Sequence, residues 1–156
     1  MATKKMAIIA TKGALDMAYP PLILASTAAA LGWEVQVFFT FYGLQLLRRD
    51  LSGIAISPIG NPAMPMPVPM PVLVSALPGM QAMATSMMKA KMKKKGVASL
   101  EELRSLCLEA DVKFIACQMT VDLFEFSKTD FIDGIEYGGA ATFMKFAGET
   151  DVCLFI

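Results

Sequence analysis

The sequence predicts an α/β fold: one domain over residues 1–156, built on a five-stranded, mainly parallel sheet with helices on both faces. Two observations carry that expectation. Short apolar runs alternate with helical stretches along the chain, which is the order that builds strand–helix–strand units. The runs are also apolar almost throughout, as strands covered on both faces are.

Met6–Ala10 (MAIIA) reads as the first strand, closed by the turn Thr11-Lys12-Gly13. Ala14–Leu31 is rich in Ala and Leu and stops at Gly32, the residue type that commonly ends a helix. Pro20-Pro21 either kinks that helix or divides it. Glu34–Phe39 (EVQVFF) is β-branched and aromatic, hence a second strand. Tyr42–Arg49 makes a short helix, and Ile54–Ser57 a brief third strand. Ser99-x-x-Glu102 is a capping box opening a helix whose apolar stripe is Leu100, Leu103, Leu106, Cys107 and Ala110. Val112–Cys117 is the fourth strand, with a helical turn over Val121–Phe126 after it. Gly138–Ala147 forms the last helix, and Val152–Ile156 (VCLFI) the last strand.

An insertion rich in Met and Pro occupies about 58–95. From Leu51 to Met88 the chain carries no charge, and Asn61–Met70 alternates proline with apolar residues, which suits neither a helix nor a central strand. Leu77–Lys95 is expected to be helical, its methionines (Met80, Met83, Met87, Met88) preceding five lysines from Lys89 to Lys95. No transmembrane span is expected, because prolines through Pro78 leave too short an apolar run. The preferred expectation is a cover whose methionines pack on their own or a sister subunit. A peripheral membrane contact or a protein partner at the Met/Lys surface is the alternative.

Composition narrows the function. With 55% apolar and 18% charged residues, the chain exceeds the roughly 45–50% apolar content of an average domain, so self-association is the natural outlet. Lys+Arg 14 balances Asp+Glu 14, which argues against nucleic-acid binding. There is no histidine, removing Cys–His and Ser–His–Asp pairs and most zinc and haem sites. Cys107, Cys117 and Cys153 have no C-x-x-C spacing, and no phosphate-loop or dinucleotide fingerprint appears. No metal and no cofactor are expected. The absence of a recognisable secretory signal and the odd cysteine count suggest free thiols in a reducing cytoplasm.

If covalent chemistry occurs here, a lone thiolate or a lysine performs it. Cys117 is the strongest candidate, because it closes a buried strand and opens a helix, where partly positive N–H groups favour thiolate. The competing view is a small apolar residue, inert in the core. Cys107 on its helical stripe is expected to be packing, and Cys153 plain core. In parallel sheets ligands sit outside the carboxyl ends of the strands, which is where Thr11, Lys12, Thr40 and Cys117 all fall. Lys12 and Asp16 are either a charged lip to that cleft or a solvated helix start.

The chain resembles the DsrE/DsrF-like family of sulfur-handling proteins, in particular the branch found beside rhodanese and TusA-like proteins. The opening ATKGALDMAYPPLILASTAAALGWEVQVFFTFYGLQLL resembles that branch's first βαβ unit, and the Met/Pro segment with its Met/Lys helix resembles its insertion. Cys117, Met119, Thr120 and Asp122 fit its Cys-x-Met-[Ser/Thr]-x-Asp pattern, and the stretch from Gly138-Gly139-Ala140 to Ile156 resembles its last helix and strand. The resemblance implies a three-layer flavodoxin-like fold assembled into a homo-oligomer, a trimer or tetramer. It implies that Cys117 holds sulfane sulfur, as persulfide or thiosulfonate, exchanged with a TusA-like carrier or rhodanese. Cys107 matches a second cysteine of some members, and Met119 and Thr120 would line the site. The rival readings are an oligomeric interaction protein that uses the Met/Lys segment, and an anion- or nucleotide-binding module at Thr11-Lys12-Gly13.

Overall fold

The computed structural model describes residues 2–58, 67–68 and 71–156. The proline-alternating stretch Asn61–Met70 lies almost wholly outside the described residues, and with it that part of the expected cover. Five parallel strands run in the order β4-β3-β2-β1-β5. They are β1 (Lys5–Ala10), β2 (Glu34–Phe39), β3 (Lys113–Cys117), β4 (Glu136–Gly138) and β5 (Val152–Phe155).

Helices cover both faces, giving three layers. On one face α1 (Leu15–Ala30) packs beside α4 (Leu100–Glu109), over a core that includes Ile8, Val37, Phe39 and Phe114. Small residues on the buried side of α1 (Ala18, Ala25, Ala28) let it lie close to the sheet. The helix runs on through Pro20 and Pro21, so the prolines do not divide it. The α4 capping box forms as the sequence requires, Ser99 Oγ accepting from Glu102 N and Glu102 Oε2 accepting from Ser99 N. On the other face α6 (Ala140–Ala147) buries Phe143 and Phe146 against Ala7, Phe38, Ile115 and Cys117. Burying each such aromatic contributes roughly 1.5–3 kcal/mol.

Two sequence expectations are corrected. Ile54–Ser57 is not a strand. Its backbone groups are taken elsewhere: Ala55 O accepts from Leu15 N, Ile56 N donates to Thr85 Oγ1, and Ser57 N donates to Asp16 Oδ1. The fifth strand is instead β4, whose three residues are too short to show a strand period. The second correction concerns Cys153, which is exposed rather than core. On edge strand β5, Val152 and Leu154 turn toward the α1/α4 layer, so Cys153 and Phe155 fall on the opposite side.

The segment after β2 winds as a 3₁₀ helix over Phe41–Leu47 rather than an α-helix. In the insertion, α2 (Val72–Ser75) precedes α3 (Met80–Lys94). Met80 and Met88 pack on the main core, whereas Met83 and Met87 are exposed. Among the described residues no helix is long and apolar enough to cross a membrane.

Candidate functional site

Strand register assembles the site. Ala10 pairs with Phe39, Phe39 with Ala116, and Cys117 with Gly138, so the carboxyl ends of four strands lie in one row. Thr40 N donates to Ala10 O, extending the β1–β2 ladder and setting Thr40 beside Cys117. Alternation along β2 and β3 sends Phe38, Ile115 and Cys117 to the α6 face, and Thr40, two residues beyond Phe38, shares their side.

Cys117 is 4% exposed and stands where β3 passes directly into α5 (Gln118–Leu123). As a resting thiol it makes no capping hydrogen bond to that helix. Its ionisation is set by opposed influences. Burial pushes the thiol pKa up; the Thr120 hydroxyl and N–H, the Thr40 hydroxyl and the Met119 N–H all favour the thiolate, and the net displacement is downward.

Behind this edge the two threonines are joined, with Thr40 Oγ1 and Thr120 Oγ1 3.1 Å apart. Thr120 Oγ1 also accepts from Phe41 N at 3.3 Å. Phe41 holds a left-handed backbone, φ 48°, which is unusual for a bulky residue and aims its N–H back at Thr120. Nothing in the sequence marks Phe41 for that role, because Gly or Asn is the usual sign of such a turn. Around the cysteine the rim is apolar and open: Met119 is 61% exposed, and Phe41, Tyr42 and Leu123 are exposed with it. Phe124 ties the rim together, stacking on Tyr42 and meeting Phe41 edge-on.

The remaining candidates are placed apart from the sulfur to varying degrees. Thr11 sits in the same row, its hydroxyl donating to Ile156 O at 3.0 Å. Lys12 is exposed and lines a cavity of about 410 Å3 with Gly13, Tyr42 and Gln45, a lining that does not include Cys117. Asp16 is engaged by Ser57 N at 2.7 Å, so it pins the 54–57 loop to the start of α1. Cys107 is fully buried between α4 and α1, its thiol donating to Leu22 O at 3.4 Å, and burial pushes its pKa up to about 11. The structure does not bring it to the Cys117 edge. Among the described residues no group of three or more Cys, Asp or Glu is arranged to hold a metal ion.

Comparison with known proteins agrees with this architecture. The chain is 69% identical over 160 aligned positions to the sulfur carrier protein DsrE2 of Allochromatium vinosum, with all of both chains covered. It is 33% identical to the uncharacterized protein YrkE of Bacillus subtilis, over 99% of this chain and 98% of that one. The crystal structure of ychN protein from E. coli shares the fold at a TM-score of 0.56 and 13% identity, covering 99% of this chain and all of the other. A model of the DsrE/DsrF/DrsH-like family matches residues 2–155, and with it this chain belongs to that family.

Proposed function

We propose that this chain is a sulfur carrier that holds sulfane sulfur on Cys117 and passes it to a protein acceptor. One observation carries the reading: Cys117 is buried where a strand's carboxyl end passes into a helix, beside Thr40 and Thr120, whose hydroxyls favour the thiolate, with no histidine anywhere in the chain to act as base. Its likeness to a protein named a sulfur carrier supports it. In loading, the Cys117 thiolate attacks the outer sulfur of a donor persulfide. The new S–S bond forms as the donor's S–S bond breaks, and the electron pair leaves on the donor thiolate. Delivery reverses the roles, with an acceptor thiolate attacking the outer sulfur and Cys117 departing as thiolate.

The apolar rim of Phe41, Tyr42, Met119 and Leu123 favours a protein acceptor over a small ion, in keeping with a TusA-like carrier or rhodanese. Self-association into a trimer or tetramer belongs to the same reading. It is supported by exposed Phe155 and Cys153 on edge strand β5 and exposed Met144 on α6. The setting is a reducing cytoplasm, where such thiols stay free.

Intact mass after exposure to polysulfide, for the wild type, Cys117→Ser and Cys107→Ser, tests the assignment. A thiol-reversible gain of one sulfur atom, lost only in Cys117→Ser, is the expected result. An adduct that persists in Cys117→Ser, or none in the wild type with Cys117 reduced, overturns it. The second outcome favours an oligomeric interaction protein, for which exposed Met83 and Met87 beside the α3 lysines supply a surface.

A further inference from the structure

Thr120 and Thr40 do more than line the site. A threonine hydroxyl offers one hydrogen and two lone pairs. Thr120 Oγ1, fully buried, has one lone pair occupied by the Phe41 N–H. One hydrogen serves the bond between the two threonines, whichever of them donates. The pair therefore always keeps one hydroxyl hydrogen over. Register sets Thr40 beside Cys117 on the same face of the sheet, and Thr120 is bonded to Thr40. Both hydroxyls favour the Cys117 thiolate, so its sulfur is the acceptor we assign to the spare hydrogen.

We infer that the Thr40–Thr120 hydroxyl pair, anchored by the left-handed Phe41 N–H, is a positioning device that directs one O–H to the Cys117 sulfur and makes that sulfur a better leaving group for delivery. The inference rests on the reading of Cys117 as the sulfur-bearing residue. In the loaded form the negative charge moves to the outer sulfur, about 2 Å beyond Sγ, and the O–H faces a sulfur without charge. When an acceptor thiolate attacks the outer sulfur, the S–S bond breaks and the electron pair returns to Sγ, where the O–H meets it. Neither threonine gives up its proton. The pair thus favours the emptied thiolate over the loaded persulfide and tilts the carrier toward release.

Among the described residues no charged side chain shifts the Cys117 thiol. The elements packed around it carry Tyr42 after β2, Tyr137 on β4, Asp122 on α5 and Lys145 on α6, and Lys5, Glu34, Lys113 and Glu136 at the opposite, amino ends of β1 to β4. The hydroxyls are consequently the polar side chains to vary.

The pH profile of Cys117 alkylation by iodoacetamide, read by peptide mass in a Cys153→Ser background, is the primary test. Thr120→Val should raise the midpoint by about one unit, a tenfold fall in thiolate fraction below it. Thr40→Val should raise it too, and Thr120→Ser, which restores the hydroxyl, should return it to the wild-type value. Release of loaded sulfur to an added thiol should slow about threefold for each unit gained. Unchanged midpoints in both valine variants overturn the inference, and if Thr120→Val does not fold, an unchanged Thr40→Val midpoint does so alone. A raised midpoint with unchanged release overturns the delivery role. If the wild type takes up no sulfur, the carrier reading fails, whereas the alkylation profile still decides what the hydroxyls do.

Discussion

Cys107 and Cys117 are buried on opposite faces of one sheet. Cys107 belongs to the layer of α1 and α4, and Cys117 to the layer under α6. Their thiols also differ in chemical state, one pushed up by burial and bonded to a carbonyl, the other held down by donors.

A disulfide between them is therefore not expected, since bridged Cα atoms lie within roughly 4.4–6.8 Å with side chains directed at each other. Peptide mapping after mild oxidation should find no Cys107–Cys117 link. At pH 8 Cys117 should be alkylated at least about tenfold faster than Cys107 in the folded protein.

Cys107 also gives a pH signature of stability. Its folded pKa is raised, so the native state holds the thiol proton more tightly than the unfolded chain does. That contribution is fully present below the ordinary thiol pKa and is lost as pH rises through about 11. Melting temperature should fall from pH 9 upward in the wild type, and Cys107→Ala should lose this component of the slope. Equal slopes in the two proteins would exclude it.

Arg104 anchors the segment that presents Thr40 and Phe41. Its buried guanidinium donates to Leu46 O at 3.0 Å and Arg48 O at 2.6 Å, closing the end of the 3₁₀ helix. Arg104→Ala leaves both carbonyls without that donor and should cost about 2–4 kcal/mol in urea unfolding. Both bonds come from one nitrogen, Nη1, so Arg104→Lys, whose ammonium stands one bond nearer the backbone, should recover only part of it.

Gly43 holds the same segment from the other side. A Cβ there would run into the Ala10 carbonyl, so the 3₁₀ helix packs against the end of β1 only because the side chain is missing. Gly43→Ala should destabilise by about 1–3 kcal/mol. Gly53→Ala, whose Cβ meets open space, should stay within about 0.5 kcal/mol of the wild type.

Much of this was legible in the sequence because strong local signals agreed with the tertiary outcome. MAIIA, EVQVFF and KFIAC carry enough β-branched and aromatic residues to be strands in any setting. The Ser99–Glu102 box marks its helix by chemistry alone. Ile54–Ser57 misled because an apolar run shows burial but not where its N–H and C=O groups bond. Glu136–Gly138 escaped because three residues flanked by glycines have no period. For the site, position at a strand's carboxyl end found Cys117 and Thr40. Their link through Thr120 depends on a left-handed Phe41, and a φ of 48° at phenylalanine leaves no mark in the sequence.

The pairing of β1 with β5 has a kinetic consequence. Lys5 N donates to Asp151 Oδ2 across 146 residues, and Thr11 is tied to Ile156 by both its N–H and its hydroxyl. Strand β1 thus waits for almost the whole chain before its second ladder can close, and ladders of such high contact order form late and slowly. Until then its free edge is a template for another chain. Refolding should accordingly show a slow, concentration-sensitive phase in which the β1–β5 ladder is the last protected from hydrogen exchange.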